Sequence, residues 1–366
     1  MRVVMSGGGT AGHVFPAVAV AERLRDAGHD VRFVGSASGQ EASLVPAAGF
    51  PFEGVRVASA QTRVSIHTAR ALWMSLAAAR ELRPLVRLTD VVVGIGGYAS
   101  APGILAARRA GTPIVLIEQN GVPGIVNRFA ARWARAVATT FDATADRLPR
   151  GTRVVRTGNP VRRQIAEVSA ARTERRAEGS RVFELGHDRL TVSVLGGSLG
   201  ARQLDRTVAG AIRHLRDRAD LQLLVSTGPD HVDEVAPAAA ASGAVLVRVV
   251  GFIERMDLAL AISDLAVARA GSGTVSELSA CGVPSILVPY PHATENHQEA
   301  NAREVELAGG AEVMLEATMT PHLLAERVSA LLGDEPRRAA MAAAMLRWAK
   351  PDADERIAEL VLEAAA

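Results

Sequence analysis

The run "RVVM" (2–5) followed by "SGGGTAGHVFPAVAVAERLRDAGH" (6–29) decides the fold. A short apolar run enters a glycine loop. The loop leads into apolar residues at helical spacing, which end at Gly28 as a C-cap. Strand, tight turn and helix in that order open a parallel α/β sheet. Gly7-x-Gly9-x-x-Gly12 matches a dinucleotide fingerprint by count, but that fingerprint also needs an acid at the end of the second strand. The second strand, "DVRFVG" (30–35), runs instead into "GSASGQE", with no acid before Glu41. The other reading is a loop whose amides, with the helix N-terminus, hold a pyrophosphate. His13 falls in or beside the first turn. It is either a capping or packing residue or a general base, because the positive end of the helix dipole favours the neutral imidazole.

The same alternation continues outward. "DVVVGIG" (90–96), "PIVLIE" (113–118), "AVATT" (136–140) and "RVVRTG" (153–158) read as buried parallel strands. After a charged stretch at 169–189 the pattern restarts with "LTVSVLGG" (190–197), "LQLLVSTG" (221–228), "VLVRVVGF" (245–252), "LAVARAG" (265–271) and "PSILVPYP" (284–291). Two doubly wound α/β domains follow, joined near "GNPVRRQI" (158–165), with chemistry expected beyond the carboxyl ends of the strands. The expected division is 1–162, 163–340 and a C-terminal helical segment 341–366, broken at Pro351, which crosses back to the first domain.

Composition narrows the function. The chain has 366 residues, 48% hydrophobic and 22% charged, enough for two real cores. A single cysteine, Cys281, excludes a disulfide framework and a cysteine-rich zinc site. Residues 1–160 carry +9 and residues 161–366 carry −7, so the two halves face different partners or each other. With only 4% aromatics, stacking on nucleic acid is disfavoured against a pyrophosphate or an anionic lipid. Arg2 precedes only three apolar residues before the glycines, too short for a secretory signal. The uncharged run 91–107 holds four glycines and a proline and is no membrane span. A cytoplasmic protein is expected.

Three further glycine loops and one polar cluster carry the remaining signal. "GIGGYASAP" (94–102) offers close backbone approach and Tyr98. "GGSLGARQLD" (196–205) presents Ser198 before a helix as a phosphate cradle. "ARAGSGTVSE" (268–277) places Glu277, read here in the first turn, as a dipole stabiliser or an acceptor for ribose hydroxyls. Gln298 and Asn301 follow at a strand mouth. In "LIEQNGVPGIVNRFA" (116–130), Glu118, Gln119, Asn120 and Asn127 are either turn chemistry or the amide-rich lip that a sugar needs.

In this order, "GGGTAGHVFPAVAVA", "GIGGYASAP", "EQNGVPGIVNRFA", "GNPVR", "GGSLGAR", "GF" with Met256, "RAGSGTVSE" and "HQEANA" resemble the MurG family of bacterial transferases. The resemblance runs from about residue 2 to 340 and rests on the ordered set. It implies a GT-B fold, two Rossmann-like domains facing a central cleft. It also implies inverting transfer of N-acetylglucosamine from UDP-GlcNAc to the C4 hydroxyl of undecaprenyl-pyrophosphoryl-MurNAc-pentapeptide (lipid I). The product is lipid II, for peptidoglycan, and the process bears on cell shape and division. No cofactor and no metal are implied. The implied partners are the two substrates, an anionic membrane surface on the cytoplasmic face and other cell-wall synthesis or division proteins.

The resemblance also implies residue roles. His13 is the proposed base. Thr10, Ala11 and Gly12, Asn120, Arg162, Ser198, the Phe252–Ile253 backbone, Ser272, Gly273, Thr274, Val275, Ser276, Glu277 and Gln298 fall to the donor. Gly9, Gly97, Tyr98, Glu118 and Asn127 fall to the acceptor, and Arg269 matches a family position. Ala11 replaces a usual glycine, and Asp205 and His297 stand where some members have Asn and Gln.

Residues 63–87 place Leu72, Trp73 and Leu76 among Arg63, Arg70, Arg80, Arg83 and Arg87. This reads as an interfacial helix on anionic lipid or as an ordinary surface helix. The competing functions are a same-fold transferase for another lipid acceptor such as diacylglycerol, a non-catalytic UDP-sugar-binding subunit, and a nicotinamide dehydrogenase.

Overall fold

Runs of valine, isoleucine and leucine without alternation form strands apolar on both faces, which only a sheet covered by helices on both sides can bury. Two such sheets are present. The structure, a computed structural model, describes residues 1–57, 66–197 and 201–366, apart from the side chains at 11, 66–69 and 72.

The chain divides into two units, Met1–Arg162 with Lys350–Ala366, and Arg163–Ala349. The first holds a seven-stranded parallel sheet of order β3-β2-β1-β4-β5-β6-β7. Its strands are β1 (Arg2–Ser6), β2 (Asp30–Ser36), β3 (Phe52–Val55), β4 (Val91–Gly94), β5 (Ile114–Glu118), β6 (Ala136–Thr139) and β7 (Val154–Arg156). The second holds a six-stranded parallel sheet of order β10-β9-β8-β11-β12-β13. Here the strands are β8 (Leu190–Leu195), β9 (Leu221–Ser226), β10 (Leu246–Val250), β11 (Leu265–Ala268), β12 (Ser285–Leu287) and β13 (Ala311–Val313). Both orders are doubly wound. Each reverses between its first and fourth strand, so each has a switch point at the carboxyl ends of β1 and β4, or of β8 and β11.

β3 and β13 were not expected from the sequence. They are edge strands of four and three residues, and β3 is half-exposed along most of its length. Neither needs the apolar run that marks a central strand.

The first core lies on the two faces of its sheet, with Met5, Phe33, Val93 and Ile117 on one side and Val4, Val92, Leu116 and Val137 on the other. The helix Ala353–Ala365 adds Ile357, Leu360 and Val361 to the first face, where it lies against the helix Ala11–Asp26 and strands β4, β5 and β6. The second core gathers around Leu204, Ile212, Leu223, Val267 and Leu331. No helix among the described residues is long and apolar enough to cross a membrane.

Candidate active site

The glycine loop at 7–9 sits at the first switch point, after β1. Gly7, Gly8 and Gly9 all have positive φ. The Gly7 amide donates to Val34 O at 2.9 Å, Gly8 to Gly96 O at 3.4 Å and Gly9 to Glu41 Oε2 at 2.7 Å. All three donors therefore turn inward. The loop after β4 comes so close that a Cβ on Gly97 would lie 2.4 Å from Gly8 O, and one on Gly7 2.6 Å from Gly96 O. These glycines let two loops approach each other. Gly9 is not available to an anion through its amide. The amides open to one are those of Thr10, Ala11 and Gly12, at the start of the helix Ala11–Asp26, where no carbonyl of the same helix can reach them. The ring of Tyr98 borders the loop, 3.7 Å from where a Gly9 Cβ would be.

Thr10 is the N-cap of this helix, in extended conformation, and its hydroxyl caps no amide. It lies instead 2.9 Å from Nδ1 of His13, three residues on. A threonine and a partner at this spacing make a capping box when the partner is Glu or Gln. Here an imidazole takes the partner's place. The other edge of the ring packs on the second loop: a Gly96 Cβ would lie 3.1 Å from His13 Cδ2, 3.3 Å from Nε2 and 3.8 Å from Asn127 Nδ2. His13 and Asn127, distant in sequence, thus meet over Gly96.

Glu118 ends β5 and is buried. Its Oε1 accepts from the Asn120 amide at 3.0 Å, and Oε2 accepts from the Gly124 amide and from Asn127 Nδ2, both at 3.0 Å. Burial raises the carboxyl above its ordinary value, against these hydrogen bonds. Its accepting capacity is spent inside the loop, so Glu118 shapes the 118–127 turn and has little left for a substrate. Asn127 gives its amide hydrogens to Ile117 O and Glu118, which leaves Oδ1 buried with no partner. Asn120 is half-buried, its carbonyl held by Thr144 Oγ1 at 2.9 Å. Arg162 lies 6.0 Å from the centre of the Phe15 ring.

In the second unit, Ser198 lies outside the described residues. Gly271 caps the helix Ser272–Ala280, and a Cβ on Gly273 would meet nothing within 4 Å, so the helix start is open there. Val275 and Ser276 are buried, and Ser276 Oγ donates to Ser272 O at 2.8 Å. Those two side chains face the interior. Glu277 is the sixth helical residue, in the second turn and not the first as expected, because the helix begins at Ser272, after Gly271. That weakens its reading as a dipole stabiliser. Ile253 is buried while Phe252 is 65% exposed.

Gln298 Oε1 accepts from the Tyr290 amide at 2.9 Å, which turns its NH2 outward as a donor. Arg269, buried, holds Val288 O and Pro289 O at 3.2 Å and pairs with Glu316, joining the loops after β11 and β12. Asn301 Nδ2 donates to Ala270 O at 3.1 Å and is structural. Asp205 is fully buried, and neither oxygen has a hydrogen-bond partner of good geometry. His297 Nδ1 lies 2.8 Å from Thr294 O.

On the helix Ile66–Glu81, Trp73 is 69% exposed, Leu76 half-buried and Arg80 exposed; the side chain of Leu72 lies outside the described residues. Sequence reasoning missed two more exposed apolar residues, Ile125 and Phe129, the latter covered by Arg132 at 4.2 Å. It also missed Glu41. The only signal for Glu41 was its place after three small residues and two glycines. No group of three His, Cys, Asp or Glu that could hold a metal ion occurs among the described residues.

The N-terminal domain of glycosyltransferase family 28 matches residues 3–139, and its C-terminal domain matches residues 191–357. The chain is 37% identical to a UDP-N-acetylglucosamine–N-acetylmuramyl-(pentapeptide) pyrophosphoryl-undecaprenol N-acetylglucosamine transferase of Moorella thermoacetica, over 99% of each chain. It is 36% identical to a transferase of the same description from Desulfitobacterium hafniense, over 100% of each. The crystal structure of Acinetobacter baumannii MurG superposes with a TM-score of 0.80 at 30% identity, over 99% of each chain. A UDP-GlcNAc 2-epimerase from Neisseria meningitidis, bound to UDP-GlcNAc, shares the fold with a TM-score of 0.67 at 12% identity, over 99% of this chain and 100% of that one.

Proposed function

From its membership of glycosyltransferase family 28, and within it of the MurG family to which this chain belongs, we propose how its residues carry out the transfer. The chain is a GT-B glycosyltransferase that moves N-acetylglucosamine from UDP-GlcNAc to undecaprenyl-pyrophosphoryl-MurNAc-pentapeptide. The observation that carries the residue reading is His13, held by Thr10 and packed on Gly96 beside Asn127 at the switch point of the first sheet.

The acceptor's C4 hydroxyl attacks the anomeric carbon of the donor sugar. The carbon–oxygen bond to UDP breaks, and the configuration inverts. His13 takes the hydroxyl proton on Nε2, a contribution of roughly 10²–10⁴-fold. The amides at Thr10–Gly12 hold the acceptor's pyrophosphate or the donor's sugar side, and Asn127 and Asn120 order the lip of that site. The open helix start at Ser272–Thr274 steadies the charge that builds on the leaving diphosphate. The Phe252–Ile253 backbone takes the uracil, Glu277 the ribose hydroxyls and Gln298 the sugar. Gly97 and Tyr98 border the acceptor. Glu118 serves it indirectly, through Asn127.

The lipid tail of the acceptor lies in a membrane, so the enzyme works at its surface. Trp73, with Arg70 and Arg80 on the same helix, supplies an apolar and cationic contact for anionic lipid. Ile125 and Phe129, with Arg128 and Arg132, supply a second.

Radiolabel transfer from UDP-GlcNAc to a lipid I analogue tests the reading, with other UDP-sugars and diacylglycerol as controls. Label on the lipid I analogue alone is expected. Transfer to diacylglycerol, or none by the purified chain, would overturn it.

A further inference from the structure

Glu41 opens the short helix Glu41–Ala47 and is 1% exposed. Its Oε1 accepts from the Ser36 amide, at the end of β2, at 2.8 Å. Its Oε2 accepts from the Gly9 amide, in the loop after β1, at 2.7 Å. One carboxylate therefore joins the end of β2 to the loop that leaves its neighbour β1. No cation pairs with it among the described residues, and both its oxygens accept from backbone N–H groups.

Three glycines close around it. A Cβ on Gly8 would lie 2.4 Å from Glu41 Cδ, one on Gly35 2.7 Å from Cγ and one on Gly39 2.2 Å from Oε2. Gly8 has positive φ, but Gly35 and Gly39 do not. At those two positions the lack of a side chain answers to space alone: at Gly39 the carboxylate fills it, and at Gly35 the Glu41 side chain fills it together with Gly7 O. Burying an anion with no cation partner is costly unless hydrogen bonds to it are good. A buried carboxylate held at two short bonds and walled by three glycines is a built feature.

Its effect reaches the site. With Gly7 and Gly8 bonded to Val34 O and Gly96 O, the bond to Glu41 commits the last glycine amide of the loop. The next residue is Thr10, which holds His13. We propose that Glu41 is a positioning residue for the transfer: it locks the 7–9 loop to the end of β2 and so sets where Thr10 and His13 meet the acceptor. This rests on the reading of His13 as the base.

Two variants of the full-length enzyme test it. Glu41→Gln keeps the volume but sets an NH2 group against one of the two amides. Gly39→Ala keeps the carboxylate but pushes it off its donors. Each is expected to lower kcat roughly 10- to 100-fold, the scale of one lost charge-assisted hydrogen bond. KM for UDP-GlcNAc is expected to stay within about twofold, because the nucleotide is held by the other unit. The two losses are expected to combine to less than their product, since both act on one carboxylate. A kcat near that of the unaltered enzyme in either variant overturns the proposal. So does a loss that comes with a raised donor KM and a lowered melting temperature, which marks general damage. An unaltered chain that transfers nothing overturns the functional reading first, and an active chain with active variants overturns this proposal alone.

Discussion

The hydroxyl of Thr10 lies 2.9 Å from Nδ1 of His13, at the N-cap and third position of one helix. Two tautomers satisfy that contact. Only the one with the proton on Nδ1, donated to Thr10, leaves the Nε2 lone pair for an incoming proton.

Thr10→Val removes the acceptor and keeps the shape. It is expected to lower kcat roughly 10- to 100-fold, a share of what a general base contributes. Thr10→Ser, which keeps the hydroxyl, is expected to recover most of it. Steady-state kinetics with a soluble acceptor analogue decides. Equal rates for the Val and Ser variants would remove Thr10 from the mechanism.

Gln298 gives its oxygen to the Tyr290 amide and keeps its NH2 for a ligand. Gln298→Glu preserves the first bond and replaces the donor with an acceptor. KM for UDP-GlcNAc is expected to rise roughly 10- to 100-fold. Inhibition by UDP, which lacks the sugar, is expected to stay as it was. A parallel loss of UDP inhibition would place Gln298 at the nucleotide instead.

Asp205 gives the stability of the second unit a pH dependence. Burial, only partly offset by the Ala201 amide and by His231 and Arg269, pushes its carboxyl up to about 6. An acid whose folded value lies above its unfolded one holds its proton more tightly when folded. Stability is then greatest below pH ~4, falls as pH rises to about 6, and stays reduced above, by on the order of 3 kcal/mol. Asp205→Asn is expected to remove that slope and to raise the melting temperature by several degrees at pH 7.5. Thermal melts of both proteins from pH 4.5 to 7.5 check it, and parallel curves would refute it.

Trp73→Ser and Phe129→Ser are each expected to weaken binding to anionic vesicles roughly tenfold, the scale of an aromatic side chain partly withdrawn from water. Transfer to a water-soluble acceptor is expected to be unchanged. Flotation with phosphatidylglycerol vesicles measures the first. If neither substitution alters flotation, the membrane contact lies elsewhere.

The central strands were legible because burial on both faces leaves an unbroken apolar run, as in "DVVVGIG" and "LTVSVLGG". The edge strands β3 and β13 leave no such run. The glycine loops were legible as loops, but their purpose was not. Gly7 reads as part of a loop whose amides hold a pyrophosphate and Gly97 falls to the acceptor, whereas a Cβ on either would strike the neighbouring loop's backbone. Glu118 and Asn127 looked like two contacts for a sugar. Folding makes one of them the holder of the other, because their hydrogen bond spans nine positions that no local pattern reports. Glu41 was legible only as an acid that came too late for a ribose. Its partner Gly9 lies 32 residues away.

The return of the helix Ala353–Ala365 to the first sheet sets an order of events during synthesis. Residues 1–162 leave the ribosome first, yet the face formed by Met5, Val93 and Ile117, covered in part by Val14, Val20 and Leu24, is completed only when Ile357, Leu360 and Val361 arrive. At common elongation rates that gap is about 10–40 s. For that time the half of the chain with the histidine is made but lacks its last helix, and only at the end of it do residues 163–349 have every strand of their own sheet. A chain that ends before residue 353 thus holds the whole sequence of the second unit but lacks part of the core of the first.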